Sequence, residues 1–461
     1  MSNWPRVEIS EVCDLIVDCV NKTAPRVEHE TPYKMIRTPN IKNGRVDRTD
    51  CRFVEEVTYE KWTRRAKVLR GDVLLTREAP MGQVGYVDFD DTVFLGQRIM
   101  QYRANAEVLD SRYLLYAFLS SDLQHQFYMH EGSGSVVSHI RVPDCSKFTL
   151  NLPPLVEQRR IANILGDLDD KIELNRQTNQ TLEQIAQALF KSWFVDFEPT
   201  RAKLKAKQNG QNPERAAMAA ISGKPMDELD KLSPAQQQQL KTTAALFPDT
   251  VVDSELGEIP KGWQVSQIGN EVGVVGGGTP STKNPEFWEG GHHHWTTPKD
   301  MSNLTDKILL ETDRKITKSG LAKISSGLLP INTVLMSSRA PVGYLAIAKV
   351  PVAINQGYIA MKCEGVLTPE YVIQWTESVM EEIQQRASGT TFAEISKKNF
   401  KLISVLVPEA TLINEFSSTV SNLYAKITEI LKETKSLSEI RDSLLPQLLT
   451  GQIELPESIN E

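Results

Sequence analysis

Residues 152–168 read LPPLVEQRRIANILGDL, and residues 407–423 read VPEATLINEFSSTVSNL. In each stretch a proline precedes a run whose apolar residues are spaced alternately four and three apart, which is typical of a coiled-coil helix. The first pattern continues to Phe194 and the second to Leu449. We therefore predict two long helices, at 157–194 and at 410–449.

The apolar positions of these patterns form what we call the spacer seam. It consists of Ile161, Leu165, Leu168, Ile172, Leu182 and Leu189 in the first helix and of Phe416, Val420, Leu423, Ile427, Leu437 and Leu444 in the second. Each residue of the second set lies 255 positions after its counterpart in the first, so the helices match in length and phase. This match favours a coiled coil over the alternative, two amphipathic helices that pack separately on their own domains.

An internal repeat extends outward from the helices. Trp4, Thr38-Pro39 and Gln97 recur 259 positions later as Trp263, Thr297-Pro298 and Gln356. The tetrapeptide at 79–82 (APMG) recurs at 340–343 (APVG), and the tripeptide at 133–135 (SGS) recurs at 388–390 (SGT). Short apolar runs at 72–76 and 333–337 indicate strands, and 111–121 and 369–386 indicate helices. We predict an α+β fold made of two repeated mixed domains and the two long helices.

The repeat sets the domain boundaries. Residues 198–256 change in composition, with a basic run at 201–207 and four glutamines at 236–239, and indicate a connector with one or two short surface helices. The predicted order is a globular domain at 1–152, a helix at 153–197, the connector at 198–256, a second globular domain at 257–407, and a helix and tail at 408–461.

Composition limits the function classes. The chain has 461 residues with 40% apolar and 24% charged residues, ordinary values for a globular protein. No apolar run approaches the roughly 18 residues of a membrane span, and no signal-peptide pattern opens the chain, so we expect a cytoplasmic protein. The net charge of −7 argues only weakly against nucleic-acid binding, because local clustering of cations decides that question.

Sequence signatures of catalysis are missing. No phosphate-binding Gly-x-x-x-x-Gly-Lys-Ser/Thr motif occurs, and the five cysteines include no Cys-x-x-Cys pair. The glycines at 276–278 precede Thr279-Pro280 rather than a helix, which favours a turn with close backbone approach. The three histidines at 292–294 have no further ligand at metal-site spacing, so no metal is expected. A reader or scaffold is favoured over an enzyme.

Several segments resemble the specificity subunits of type I restriction–modification enzymes. They are 79–82 and 340–343, 152–161 (LPPLVEQRRI), 188–197 (ALFKSWFVDF), 257–263 (GEIPKGW), 276–280 (GGGTP) and 444–451 (LLPQLLTG). The resemblance spans nearly the whole chain, and the two helix-end segments, 188–197 and 444–451, are the most specific. The first domain departs from the pattern, since it has Lys22-Thr-Ala-Pro25 where the second has 276–280.

The resemblance implies a non-catalytic DNA reader. Each globular domain is then a target recognition domain for one half of a bipartite site, and the helices pack antiparallel as spacer and docking surface. Two modification subunits would carry S-adenosylmethionine and adenine N6-methyl transfer, and two restriction subunits would use ATP and Mg²⁺. This chain would bind none of these cofactors. The alternative is a coiled-coil scaffold that spaces two protein-binding domains; a self-sufficient methyltransferase is disfavoured because no Asn/Asp-Pro-Pro-Tyr/Phe motif occurs.

Candidate DNA contacts are side chains that suit base edges or phosphates. In the first domain they are Asn40, Lys42, Arg45, Arg77, Gln97, Arg98 and Arg141, and in the second they are Lys299, Arg339, Gln356, Lys397 and Lys398. For each residue taken singly, a purely structural or surface role is an open alternative.

Overall fold

A computed structural model describes residues 4–129, 139–389, 393–453 and 455. The chain divides into two compact units, one formed by Met1–Leu174 with Glu433–Glu461 and the other by Asn175–Lys432. Each unit therefore contains one globular domain and part of each long helix. The first long helix spans Leu155–Phe190 and continues as a π-helical turn at Lys191–Val195, and the second spans Ala410–Leu449.

The described residues in the globular part of the first unit form three sheets. A six-stranded sheet has the spatial order Cys13–Asp18, Ile99–Ala104, Val73–Thr76, Val84–Tyr86, Gly44–Val46 and Ile41–Lys42. A three-stranded sheet has the order Arg52–Phe53, Lys34–Ile36 and Val93–Leu95, and a two-stranded sheet joins Arg6–Glu8 to Thr149–Asn151. The described helices before the long one are Ile9–Val12, Glu56–Trp62, Ser111–Leu119 and Ser121–Met129, with 3-10 turns at Thr38–Asn40 and Val142–Asp144.

The second unit repeats this plan. Its five-stranded sheet has the order Gly273–Val275, Tyr358–Lys362, Val334–Ser338, Val342–Ala348 and Ile308–Leu309. A three-stranded sheet joins Arg314–Ile316, His293–Thr296 and Val352–Ile354, and two-stranded sheets join Gln264–Gln267 to Ser404–Val407 and Val251–Ser254 to Gly257–Pro260. Its domain helices are Ile268–Glu271, Pro298–Ser302, Lys318–Leu321, Pro369–Ser378, Met380–Gln385 and Lys397–Lys401, with a 3-10 turn at Pro285–Phe287.

Strand pairing confirms the internal repeat. Lys34–Ile36 pairs in parallel with Val93–Leu95, and His293–Thr296, 259 positions later, pairs in parallel with Val352–Ile354. The runs at Val73–Thr76 and Val334–Ser338 are fully buried strands, as their apolar composition predicts. The tripeptide at 133–135 and Thr390 lie outside the described residues. The structure therefore confirms two repeated mixed domains.

The connector is more helical than predicted. It contains three helices, Glu198–Gln208, Pro213–Ser222 and Pro234–Ala245, and a 3-10 turn at Met226–Lys231. Asn212 and Ser233 cap the second and third helices, and a proline occupies the first turn of each. Lys203 is buried and donates to Glu214 and to the Phe247 carbonyl, both at 2.8 Å, which holds this small helical module together.

Within the first unit, the two long helices contact each other in reverse order. Asp169 pairs with Arg441 at 2.8 Å and Lys171 pairs with Glu433 at 3.5 Å, so positions advance in one helix as they decrease in the other. Ile161 and Leu165 share a core cluster with Leu448 and Leu449 of the second helix and with domain residues. The helices are therefore antiparallel here, and their buried face continues into the core of the domain.

Within the second unit, the antiparallel pairing has an aromatic core. Phe190 and Phe194 lie 5.9 and 5.1 Å from Phe416, measured between ring centroids, and Tyr371 of the domain also contacts all three rings. Five seam residues are buried (Ile161, Leu165, Phe416, Val420 and Ile427) and the other seven are partly buried. The coiled-coil prediction is confirmed, with the addition that the helix ends also serve as domain core. Among the described residues, no helix is long and apolar enough to cross a membrane.

Candidate nucleic-acid interface

A basic cleft opens on the first unit beside its three-stranded sheet. It encloses about 250 Å³, and its lining includes the cations Lys22, Arg37, Arg52 and Arg98 together with Gln97. None of the described residues that line it is an aspartate or a glutamate. Such a surface attracts phosphates and the acceptor-rich edges of bases. We call it the basic cleft.

Parallel strand pairing brings the arginines of the cleft together. Arg37 follows the strand Lys34–Ile36, and Gly96, Gln97 and Arg98 follow its parallel neighbour Val93–Leu95. Because parallel strands end at the same edge of a sheet, the two segments meet there. Arg52 reaches the cleft from the third strand of the same sheet, since it pairs with Met35.

Asp50 fixes the side chain of Arg37. Its Nη2 donates to the carbonyl and to Oδ2 of Asp50, both at 2.8 Å. Asn40 links the same groups, because its Oδ1 accepts from the Arg37 amide at 2.9 Å and its Nδ2 donates to the Asp50 carbonyl at 3.1 Å. Asn40 is 3% exposed, and its Oδ1 and Nδ2 each bond to a backbone group beside Arg37, which favours a structural role. Its predicted DNA contact stays a prediction.

Arg98 has an unusual backbone. Its φ is +74°, in the left-handed region that few residues other than glycine adopt. Its carbonyl accepts from the Arg77 amide at 2.8 Å and its guanidinium pairs with Glu78, so the surrounding loops fix this conformation. Gln97 is partly buried and donates to Asn21 at 3.4 Å. Both sequence candidates therefore line the cleft.

Other candidates of the first unit have structural contacts. Arg77 donates to the Ile140 carbonyl at 3.0 Å, and Arg141 pairs with Asp144 at 2.8 Å. Arg45 donates to the Asp169 carbonyl of the first long helix at 2.8 Å and lies 3.6 Å from Asp170, so these contacts fix the domain to that helix. Lys42 is exposed on the neighbouring strand.

Asp144 is a buried carboxylate in the turn that follows Arg141. Hydrogen bonds from Lys147 at 2.9 Å and Arg141 at 2.8 Å hold the pKa of its carboxyl below the ordinary value. The arrangement joins the turn Val142–Asp144 to the residues on either side of it, Arg141 and Lys147. Arg141 therefore has a partner that anchors it at the surface.

The second unit places different residues at the equivalent edge. Thr296, buried, and Gly357 stand 259 positions after Arg37 and Arg98, and Gln356 accepts from Thr279 at 2.6 Å. Gly277 lies against the end of the strand Val352–Ile354, where a Cβ on this residue would be 1.9 Å from the Ile354 carbonyl oxygen. This confirms the close backbone approach predicted for 276–278. Of the remaining candidates, Lys299, Lys397 and Lys398 are exposed, and Arg339 lies 3.7 Å from Glu394.

Sequence reasoning missed Lys22, Arg37 and Arg52 in the cleft and a cation–aromatic stack in the second unit. In that stack the Arg314 guanidinium lies 3.6 Å from the centroid of Trp288, and Trp288 packs edge-on against Trp295. The nearby His294 has a lowered pKa because of burial and the charge of Lys315. Among the described residues, no cluster of His, Cys, Asp and Glu side chains suits a metal ion.

Comparison with known proteins gives consistent matches over most of the chain. The family model of the type I restriction modification DNA specificity domain matches twice, at residues 1–184 and 260–439. The type I restriction enzyme HindI specificity subunit of Haemophilus influenzae is 33% identical over 403 residues, covering 84% of this chain and 87% of that protein.

Two further comparisons involve more distant proteins. The EcoR124I/EcoR124II specificity subunit of Escherichia coli is 26% identical over 247 residues, covering 51% of this chain and 56% of that protein. The crystal structure of a type I restriction–modification S subunit from M. genitalium aligns with a TM-score of 0.55 at 15% identity, covering 97% of this chain and 96% of that one. At that identity the structural match supports the fold alone.

Proposed function

The chain belongs to the type I restriction–modification DNA specificity family, and from that membership we infer that it is the DNA-reading, non-catalytic subunit of a type I complex. The observation that carries this inference is the double match of the specificity domain within one chain. Two such domains correspond to two half-sites, and the target is bipartite. The subunit binds DNA and assembles with the other subunits of its complex.

Finer features of the complex are part of the proposal. Two modification subunits bind this chain, carry S-adenosylmethionine and methylate adenine at N6. Two restriction subunits add ATP- and Mg²⁺-dependent translocation and cleavage. The similar length and matched phase of the two long helices support a pair of equivalent docking positions, because each helix offers a comparable surface to a partner.

The basic cleft supports DNA binding by the first domain. Its lining has four cations and, among its described residues, no carboxylate, although the chain as a whole has a net charge of −7. Phosphate contacts release counterions, so affinity for duplex DNA should fall steeply as salt increases. This local concentration of cations weakens the objection raised by the acidic composition, although Asp50 and Glu78 offset part of its charge.

The test is a genome-wide map of methylated adenines. The chain is expressed with its modification subunits in a host that lacks adenine methylation, and a matched culture expresses the modification subunits alone. We expect one motif made of two short half-sites with a fixed gap, present only when this chain is expressed. A complex that assembles without producing such a motif would instead support the scaffold alternative.

A further inference from the structure

We propose that the basic cleft reads a guanine in the half-site of the first domain, with Arg98 as the residue that pairs with it and Arg37, whose Nη2 is bonded to Asp50, as a supporting contact. The inference rests on the proposed function and adds the chemistry of one base contact. In the major groove, guanine presents two adjacent acceptors, N7 and O6, and an arginine guanidinium matches them with two parallel N–H donors. The cleft brings two guanidiniums to one edge of the sheet.

The way the arginines are held favours base reading over phosphate binding. Asp50 holds Arg37 through two hydrogen bonds of 2.8 Å from Nη2. Glu78 pairs with the Nε of Arg98, which leaves both Nη groups of Arg98 for a base edge. A phosphate contact needs charge and tolerates a mobile side chain, whereas a paired contact to a base edge needs a guanidinium of fixed orientation. Carboxylate partners reduce the net charge of the cleft but fix that orientation. They therefore improve discrimination at the expense of nonspecific attraction.

Hydrogen bonds to neighbouring loops also fix the backbone around Arg37 and Arg98. Thr38 Oγ1 donates to the Ala79 carbonyl at 2.9 Å, which ties the turn after Arg37 to the loop that carries Glu78. Arg98 is held at a φ of +74° by the bond from the Arg77 amide to its carbonyl. Uncommon backbone conformations persist where surrounding contacts impose them, and they cluster at functional sites. In this domain the uncommon conformation belongs to Arg98, whose side chain lines the cleft.

The second domain provides an internal comparison. At the positions equivalent to Arg37 and Arg98 it has Thr296 and Gly357, neither of which has a charged side chain. By strand register, the counterpart of Arg52 is Lys315, since Arg52 pairs with Met35 and Lys315 pairs with His294. At these two aligned positions the first domain therefore has guanidiniums and the second has none. The guanine contact belongs to the first half-site.

The experiment maps methylation by the complete complex of this chain with its modification subunits. Five versions are compared: the unchanged chain, Arg98→Ala, Arg98→Lys, Arg37→Lys and Arg70→Ala. Arg70 is the matched control, because it is also an arginine paired with a carboxylate, Asp90 at 2.7 Å, but it lies outside the cleft. Arg98→Lys is added so that a folding defect of Arg98→Ala does not decide the outcome.

The unchanged chain should methylate a motif with a G·C pair in one half-site. Arg98→Ala and Arg98→Lys should each broaden base preference within that half-site, losing roughly tenfold or more in discrimination at the contacted position. Arg37→Lys should broaden the same half-site by a smaller factor. The other half-site and the gap should stay the same, and Arg70→Ala should leave the whole motif unchanged.

Three results would overturn the inference. The cleft variants could leave the motif unchanged, or the first half-site could contain no G·C pair. Alternatively, the variants could weaken binding equally on all sequences and reduce the salt dependence, which identifies a phosphate contact. Failure of the proposed function is distinct, because the unchanged chain would then give no bipartite motif at all.

Discussion

Tyr116 and Asp169 join the first globular domain to the first long helix through a hydrogen bond of 2.9 Å from the tyrosine hydroxyl to Oδ2. The other carboxylate oxygen accepts from Arg441 of the second long helix at 2.8 Å. The caps of the two domain helices, Asp110 and Thr368, are 258 positions apart, so Gln374 corresponds to Tyr116, and Tyr424 follows Asp169 by 255 positions. Gln374 and Tyr424 also bond to each other, at 2.8 Å. One carboxylate thus connects a domain helix with both long helices, and the repeat preserves this connection with different side chains.

Asp169→Asn should therefore weaken the first unit. The substitution removes the charge that pairs with Arg441 in a largely buried setting, and we expect a loss of about 2 kcal/mol in the free energy of unfolding. Urea titration of the purified chain measures this loss. Asp442→Asn is the control, because Asp442 also pairs with Arg441 at 2.7 Å but is mostly exposed, so its loss should stay below about 0.5 kcal/mol. Equal losses in the two variants would contradict this interpretation.

Gly277 and Gly278 provide a matched pair for testing the close approach of the glycine loop. A Cβ on Gly277 would lie 1.9 Å from the Ile354 carbonyl oxygen, whereas a Cβ on Gly278 would meet no described atom within 4 Å. Gly277→Ala must displace backbone and should cost about 2–3 kcal/mol, and Gly278→Ala should change stability by less than about 0.5 kcal/mol. Thermal unfolding of both variants measures this difference in stability. Similar unfolding midpoints would contradict the close approach of Gly277 to the Ile354 carbonyl.

The long helices and the repeat could be predicted from sequence because both are local or periodic properties. The spacing of Ile161, Leu165 and Leu168 alone fixes which face of the helix is apolar. The connector could have been resolved further, since Asn212-Pro213 and Ser233-Pro234 are helix-start signals. Residue type did not reveal burial, however: Asn40 and Arg45 have the chemistry of DNA contacts and are also bonded to the turn around Arg37 and to the long helix.

The basic cleft could not be predicted because it depends on nonlocal pairing. Arg37, Arg52 and Arg98 belong to three separate segments, and only the pairing of Lys34–Ile36 with Val93–Leu95 and with Arg52–Phe53 brings them together. Nothing in the spacing of these segments distinguishes parallel from antiparallel pairing. Once parallel pairing is known, the residues that follow the two strands must meet at one edge of the sheet. A cleft that contains Arg98 is then expected to contain Arg37 as well.

Asp144 predicts a specific pH dependence. Because Lys147 and Arg141 lower the pKa of its carboxyl in the folded state, the stabilisation is complete above the ordinary carboxyl pKa and disappears as pH falls through the lowered value. Asp144→Asn should cost about 1 kcal/mol at pH 7, since both cationic partners are exposed, and the difference from the unchanged chain should shrink below about pH 4. Asp122→Asn, which affects a surface pair with Arg6, should change little at either pH. A deficit of Asp144→Asn that persists at low pH would exclude an ionic origin.

The substitution Asn179→Leu tests whether a buried polar residue of the two long helices contributes to the free energy of unfolding. Asn179 is 1% exposed in the second unit, and its Oδ1 has no hydrogen-bond partner among the described residues. Burying an unsatisfied amide oxygen is costly, so Asn179→Leu should raise the free energy of unfolding by about 1 kcal/mol. Gln180→Leu, which adds the same side chain at an exposed position, should give no such gain. Both variants are compared by urea titration.

The same variant separates stability from specificity. A polar residue inside a coiled coil fixes register and partner choice at a cost in stability, because alternative alignments would leave it buried against apolar groups. If Asn179 has this role, Asn179→Leu should be more stable and also form more than one species when examined by native mass spectrometry. A variant that is more stable and stays a single species would show that the seam residues already fix the pairing, and a less stable variant would mean that the Asn179 amide is satisfied after all.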